Sequence, residues 1–463
     1  MPAAGSPIEA GPRPTFTGGL RLRLRTPSRM RNLELPLLLV ACGINASAIL
    51  LVQLGALGHP DWSLATLGIG LSVLVLAMHV ALRIVASDAD PFILPIATLL
   101  NGLGIAMIYR LDLADRSEGW AMASIRQIAW TAIALTLAIA LIVVLRNHRV
   151  LYRFRLTFAV AGIALLVLPV FFRPVNGANI WVQLGPLSFQ PGEIGKIALA
   201  IFFAGYLVTA RDSLSMIGRR FLGLTFPRAR DLGPLLVVFA ASMGVLVFQK
   251  DLGTALLYFG LFLVMLYVAT GRESWILLGL GLFVGGAFAA SRALSYVGSR
   301  IDAWLNPFAT ENYEGTGGSY QLVQGLFGLS NGGLIGTGLG QGRPDITPLA
   351  ESDYIVASLG EELGLVGVFA ILALYLLFVS RGFRIGFAGQ DDFGRLLAVG
   401  LAFVVGLQVF IVIGGVTRVI PLTGLTTPFL AAGGSSLVAN WLIVALLLRL
   451  SDTVRQHPRT VIE

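Results

Sequence analysis

A succession of apolar runs, each about 20 residues long, dominates this chain and leaves few folds open to it. A run of that length crosses a bilayer core as one α-helix. Counted this way, spans fall near 35–56, 63–84, 92–110, 127–146, 155–172, 192–210, 233–249, 252–270, 275–291, 356–380, 394–417 and 430–449. Lipid offers no partner to a free backbone N–H or C=O, so such runs must fold as helices. The expected class is all-α: a polytopic helical membrane protein with about 12 transmembrane helices. Composition agrees, because 56% hydrophobic and 13% charged residues, with a mean hydropathy of +0.81, exclude an ordinary soluble domain.

Twelve spans put both termini on one side of the membrane. Arginines crowd the 13–31, 146–155, 211–230 and 381–395 segments and the region after 449, while the alternate segments carry far fewer. That asymmetry predicts a membrane protein with both termini cytoplasmic. It also directs the net charge of +8 toward anionic membrane lipids as partners, and not toward nucleic acid. Residues 1–34 read as a basic, disordered cytoplasmic tail, 35–91 as an N-terminal pair of spans, 92–450 as the core and 451–463 as a cytoplasmic C-terminal tail. The tail at 1–34 is not a cleavable signal, since a complete span follows it without a cleavage site. At Lys250-Asp251 the gap is short, and a single bent helix over 233–270 would invert everything downstream. The basic loop at 381–395 argues against that inversion. Cys42 stands alone, and His59, His79, His148 and His457 lack metal-ligand spacing.

The long polar interruption at 292–355 forms a large extracytoplasmic loop that ends in Glu351-Ser352-Asp353-Tyr354. Carboxylates where a loop re-enters a membrane are costly and tend to be functional. Asp353 is the sharpest candidate, with Asp345, Glu351, Glu361 and Glu362 as competitors and helix capping as the plain alternative. Of 33 basic residues only Lys196 and Lys250 are lysines. Lys196 reads either as a cation snorkelling to headgroups or as a fixed site for an anionic headgroup, paired with Glu193 one turn earlier. Trp181, Gln183 and Gln190 would suit a sugar, although Trp181 equally suits an interfacial anchor. Asp251 is either an N-cap or a carboxylate facing a cavity. The glycine-dense run 332–342 could cradle phosphate in a nest of amides, or be a flexible loop near the surface.

Taken together, these segments resemble the SEDS family of bacterial cell-wall glycan polymerases, the RodA and FtsW type. The motifs are Gln190-Pro191-Gly192-Glu193-Ile194-Gly195-Lys196, Lys250-Asp251-Leu252-Gly253-Thr254, Ser352-Asp353-Tyr354 with Gly360-Glu361-Glu362-Leu363-Gly364, Pro421 to Pro428, and Gly433-Gly434-Ser435-Ser436. Each is weak alone, but five in order on one face are specific. The departures are Gly192 for serine, Lys250 for proline, Tyr354 for phenylalanine and Ala431-Ala432 for serine-tyrosine. The resemblance covers roughly 92–450 and implies a ten-helix core with two additional N-terminal helices.

By that resemblance the chain polymerises lipid II at the outer membrane face. Asp353 would be the catalytic base. Arg110, Lys196, Arg343 and Arg418 would bind the diphosphate, with Glu193, Gln190, Trp181 and Asp251 completing the substrate site. Asp251 could also help hold a divalent cation, Mg or Mn. A class B penicillin-binding transpeptidase is the implied partner, and an elongation role like that of RodA is favoured over division. A lipid II flippase and a non-catalytic division scaffold are the alternatives. Paired broken helices, the mark of many transporters, are not visible in the sequence.

Overall fold

The computed structural model describes residues 29–456 except 63, 175–177, 185–186, 216–219, 222–223, 226–228 and 316–317. The basic segment 1–28 and the last seven residues lie outside the described residues. Among those described, ten helices are long and apolar enough to cross a membrane, and two shorter apolar helices lie at 155–171 and 233–248. Together they occupy the twelve expected positions.

The chain opens with α1 (Arg29–Leu57) and α2 (Ala65–Val85), followed by α3 (Ile93–Asp115) and α4 (Ala123–Val144). Helix α1 begins inside the stretch expected to be a tail. Its charged start is buried because the charges cancel locally: Arg31 Nη1 donates to Glu34 Oε2 at 2.5 Å, and His79 Nδ1 on α2 reaches Glu34 Oε1 at 2.7 Å. Arg31 also donates to the carbonyl of Ala89, which clamps the N-terminal pair to the rest of the molecule.

A short α5 (Arg149–Arg153) leads into α6 (Arg155–Val167) and the buried α7 (Pro191–Ser215), with the small hairpin β1 (Val182–Leu184) and β2 (Leu187–Phe189) before α7. A two-residue pair, β3 (Arg220–Phe221) with β4 (Leu224–Thr225), precedes α8 (Ala229–Phe248). Helix α9 (Leu252–Thr270) is separate from α8. Lys250 closes the turn between them in the left-handed region at φ 62, and Phe239 stacks on Phe262 with centroids 4.3 Å apart. The single bent helix is therefore not formed, and the two pack as a hairpin.

Beyond α10 (Ser274–Ala293), the long polar segment is largely helical: α11 (Ser295–Leu305), α12 (Thr310–Tyr313) and α13 (Tyr320–Gly332). It returns to the bundle through α14 (Ile355–Ala388), α15 (Asp392–Val416) and α16 (Gly434–Gln456). Helices α15 and α16 run through the buried centre of the bundle.

Helix α14 breaks at Gly364, where φ is 69 and ψ is −174. A break inside a bundle frees backbone groups that must find partners away from water. The glycine-dense run supplies them. Thr337 and Gly338 N–H donate to the carbonyls of Glu361 and Glu362, both at 3.0 Å, and Leu365 and Val366 N–H donate back to Gly333 and Leu334 at 3.0 and 3.1 Å. A Cβ on Gly336 would lie 2.2 Å from the Glu362 carbonyl oxygen, so only glycine fits there. The run is neither a flexible loop nor an open anion nest: its amides complete a broken helix.

Candidate active site

Asp353 is placed by a tight turn just before α14. Ser352 and Tyr354 N–H both donate to the Leu349 carbonyl, at 3.1 and 3.4 Å, with Leu349 itself at φ 53. Tyr354 is fully buried, and the Glu351 carbonyl accepts from Ala432 N–H at 2.7 Å. The turn is thus pinned on both sides of Asp353. No side chain caps α14, so the capping alternative for Ser352-Asp353 is not realised.

The Asp353 side chain lines a cavity of about 450 Å³ with Arg300 and Trp304 from α11, Tyr320 and Gln321 from α13, and Gly424. Burial pushes the Asp353 carboxyl up to about 6, and Glu351 adds to the rise, while a hydrogen bond with Ser352 and the charge of Arg300 oppose it. Three of the competing acids are engaged elsewhere. Glu361 accepts from Asn331 Nδ2 at 3.1 Å and from Arg343 N–H at 2.9 Å. Glu362 accepts from Arg110 Nε at 3.0 Å and Gly340 N–H at 2.8 Å, and Asp345 pairs with Arg343 at 3.0 Å.

Arg300 was not singled out from sequence. Its Nη1 donates to the carbonyls of Leu422 and Thr423 at 3.3 and 3.2 Å, which turns the guanidinium toward the Asp353 cavity. The signal available was the apolar spacing of Val297, Ile301 and Trp304 on one short helix, with Arg300 beside that stripe.

Behind the 422–426 segment lies a second cluster. Lys196 Nζ donates to Glu193 Oε2 at 2.6 Å and to Gln408 Oε1 at 2.9 Å, and Gln408 Nε2 donates to the Thr426 carbonyl at 2.9 Å. Lys196 is 2% exposed, so it neither snorkels nor reaches a headgroup directly; its charge is held by Glu193. Asp251 caps α9 through Thr254 N–H at 2.9 Å. Burial pushes the Asp251 carboxyl upward, Glu193 adds to this, and Thr254 and Arg300 oppose it. The charge of Arg300 therefore acts on both Asp251 and Asp353. Gln190 N–H donates to Ser435 Oγ at 2.8 Å, and Trp181 is half-buried just before β1.

The remaining expected cations stand apart. Arg110 is buried, with Nη2 donating to the Gly342 carbonyl at 2.7 Å, and it shares a separate cavity of about 580 Å³ with Arg343. Arg418, at φ 60, holds the carbonyls of Trp304 and Leu305, both at 2.9 Å. That is a clamp on the end of α11, outside the Asp353 cavity. Among the described residues no group of three or more His, Cys, Asp and Glu side chains could hold a metal ion. Asp251 would give Mg or Mn a single protein carboxylate, one of whose oxygens already accepts from Thr254 N–H.

Residues 91–456 match the FtsW/RodA/SpoVE family, described as cell cycle protein. A peptidoglycan glycosyltransferase RodA of Mycobacterium tuberculosis is 45% identical over 440 residues, 94% of this chain and 93% of that one. A probable peptidoglycan glycosyltransferase FtsW of Geobacter metallireducens is 35% identical, over 64% of this chain and 77% of its own. Among solved structures, the rod shape determining protein RodA of Thermus thermophilus superposes with a TM-score of 0.53 at 26% identity, covering 84% of this chain and 96% of that one. A chain of a peptidoglycan synthase complex that coordinates polymerization and crosslinking gives 0.54 at 25% identity, covering 86% and 98%.

Proposed function

This chain belongs to the FtsW/RodA/SpoVE family and is a peptidoglycan glycosyltransferase of the RodA type, and from that premise we propose that it polymerises lipid II with Asp353 as its base. The observation that carries the assignment is the cavity of about 450 Å³ in which, among the described residues, Asp353 is the single acid beside Arg300. Chain growth needs a sugar 4-hydroxyl of one lipid II to attack the anomeric carbon of the growing strand. The new O–C1 bond forms as the C1–O bond to lipid diphosphate breaks, and the hydroxyl proton passes to Asp353. A carboxylate poised near 6 is ionised at neutral pH, yet basic enough to take that proton as the hydroxyl attacks.

The departing diphosphate gathers negative charge, and a positioned cation stabilises it best where water is excluded. Among the described residues, Arg300 is the cation that lines this cavity. Lys196 and Asp251 act through the intervening 422–426 wall, which hydrogen bonds from Arg300 and Gln408 hold from its two sides. Tyr320, Gln321 and Trp304 offer the aromatic and amide surface that a sugar needs. The Asp353 face is read as the outer one, with both termini cytoplasmic, in keeping with the arginine distribution. A class B penicillin-binding transpeptidase would cross-link the product strand, a pairing in keeping with the synthase complex that this fold resembles.

The full-length protein, purified and supplied with lipid II, is expected to form glycan strands that resolve on a gel. Asp353→Asn is expected to abolish them while leaving the melting temperature within a few degrees. Undiminished strand formation by this variant would overturn the assignment of the base. Headgroup translocation in proteoliposomes without any polymer would instead favour a flippase.

A further inference from the structure

A second polar cavity lies at the far end of the bundle. Helices α14 and α15 each begin or end near Asp353, and their opposite ends meet the last turn of α16 and the 145–149 segment after α4. Between them is a cavity of about 530 Å³. Its wall carries Arg146, Arg149, Arg395 and Arg449 against two carboxylates, Asp391 and Asp452.

Both carboxylates are committed within the protein. Asp391 accepts from His148 Nε2 and from Gly394 N–H, each at 2.9 Å, and Arg149 Nε lies 3.4 Å away. His148 is the main cause that holds the Asp391 carboxyl below the usual range. Asp452 accepts from Asp88 N–H at 3.1 Å and Gln456 Nε2 at 2.7 Å, and pairs with Arg449 at 3.4 Å. Arg395 reaches Asp392 only at 3.9 Å, and the exposed Arg146 side chain makes no ion pair or hydrogen bond among the described residues. His148, 3% exposed, keeps Nδ1 buried without a hydrogen-bond partner. The wall therefore has uncompensated positive charge and an unsatisfied ring nitrogen. Apolar side chains, Ile84, Val143 and Val454, complete the lining.

We propose that this cavity binds the phosphodiester headgroup of an anionic membrane lipid. Five membrane-spanning helices, α2, α4, α14, α15 and α16, start or end at its rim, which sets it at headgroup depth. Guanidinium groups match phosphate oxygens in charge and geometry, and basic pockets between helices select anionic headgroups. A zwitterionic headgroup brings its own cation against Arg146 and Arg395, whereas phosphatidylglycerol does not. The apolar lining residues offer contact to the start of the acyl chains. This site is separate from the Asp353 cavity and does not depend on the reaction assigned there.

The test uses full-length protein in zwitterionic detergent, with its melting temperature followed as short-chain phosphatidylglycerol, phosphatidylcholine or glycerol 3-phosphate is added. Phosphatidylglycerol is expected to raise the melting temperature at concentrations where the other two do not. Arg146→Ala/Arg395→Ala should need about thirtyfold more of it, roughly fivefold per guanidinium near a membrane surface. Arg146→Lys/Arg395→Lys should restore most of the response. A second readout, the ratio of phosphatidylglycerol to phosphatidylcholine retained in native mass spectrometry, stands even if the alanine variant melts early. Equal effects of the two lipids, an unchanged ratio in the alanine variant, or equal protection by glycerol 3-phosphate would each overturn the proposal.

Discussion

Arg110 on α3 donates through Nε to Glu362 Oε1 on α14 at 3.0 Å, with both side chains buried. The bond joins residues 252 positions apart and ties α3 to the broken start of the helix that follows Asp353. Removing one member of a buried pair leaves the other charge without compensation, which typically costs about 3–5 kcal/mol. Arg110→Met is therefore expected to lower stability by that order, and Arg110→Met/Glu362→Gln by clearly less. Thermal melts of the two single variants and the double variant would measure the coupling. Additive losses would show that the pair carries no coupling.

The contact between the glycine run and the α14 break predicts a backbone effect. Gly336 has φ +82, and an added Cβ would meet the Glu362 carbonyl at 2.2 Å. Gly336→Ala is expected to cost about 2 kcal/mol or more, because left-handed strain alone contributes 1–3 kcal/mol. Gly333→Ala is a milder control. Its φ is also positive, at 54, but an added Cβ meets nothing within 4 Å. The melting temperature of Gly336→Ala should fall below that of Gly333→Ala.

Lys196 offers a test of direct binding against support. If it holds the wall of the site through Glu193 and Gln408, Lys196→Met should be destabilised by several kcal/mol, as expected for a broken buried pair. Glu193→Gln/Lys196→Met should then recover most of the stability. Activity on lipid II that returns with stability would make the pair structural. Activity that stays lost in a well-folded double variant would assign the Lys196 charge a part in the reaction.

The twelve helical positions were legible because an apolar run of about 20 residues has few alternatives to a helix. The start of α1 was not. Counted singly, Arg31 and Glu34 look like tail residues, whereas in the fold they cancel each other and His79 joins them. The role of the glycine run was hidden for a related reason: its partners are carbonyls released by a break at Gly364, more than twenty residues later in sequence. Asp353 could be named from its motif, and in the fold three of its four competitors, Asp345, Glu361 and Glu362, are engaged elsewhere. The cations were harder. Motif and charge counting pointed to Arg110, Arg343 and Arg418, and it took the turn of α11 to bring Arg300 to the cavity.

With Asp353 as the proposed base, the charge of Arg300 in the same cavity predicts the pH dependence of strand formation. A base must be ionised to act, and burial puts the Asp353 carboxyl at about 6. The rate constant kcat/KM should therefore fall on the acid side with a midpoint near pH 6, by about tenfold for each further pH unit. Arg300 favours the ionised carboxylate, so its removal must raise the Asp353 pKa and move the midpoint to higher pH. Arg300→Ala should show that displacement together with a lower kcat from the unsupported diphosphate. Arg300→Lys, which keeps the charge, should bring the midpoint back toward the wild-type value even if kcat stays reduced. Both variants can be followed by lipid II consumption from pH 5 to 8 in the same detergent. An acid limb that stays in place in Arg300→Ala would separate the arginine from the base, and Arg300 would then be only a tie between α11 and the 422–426 segment.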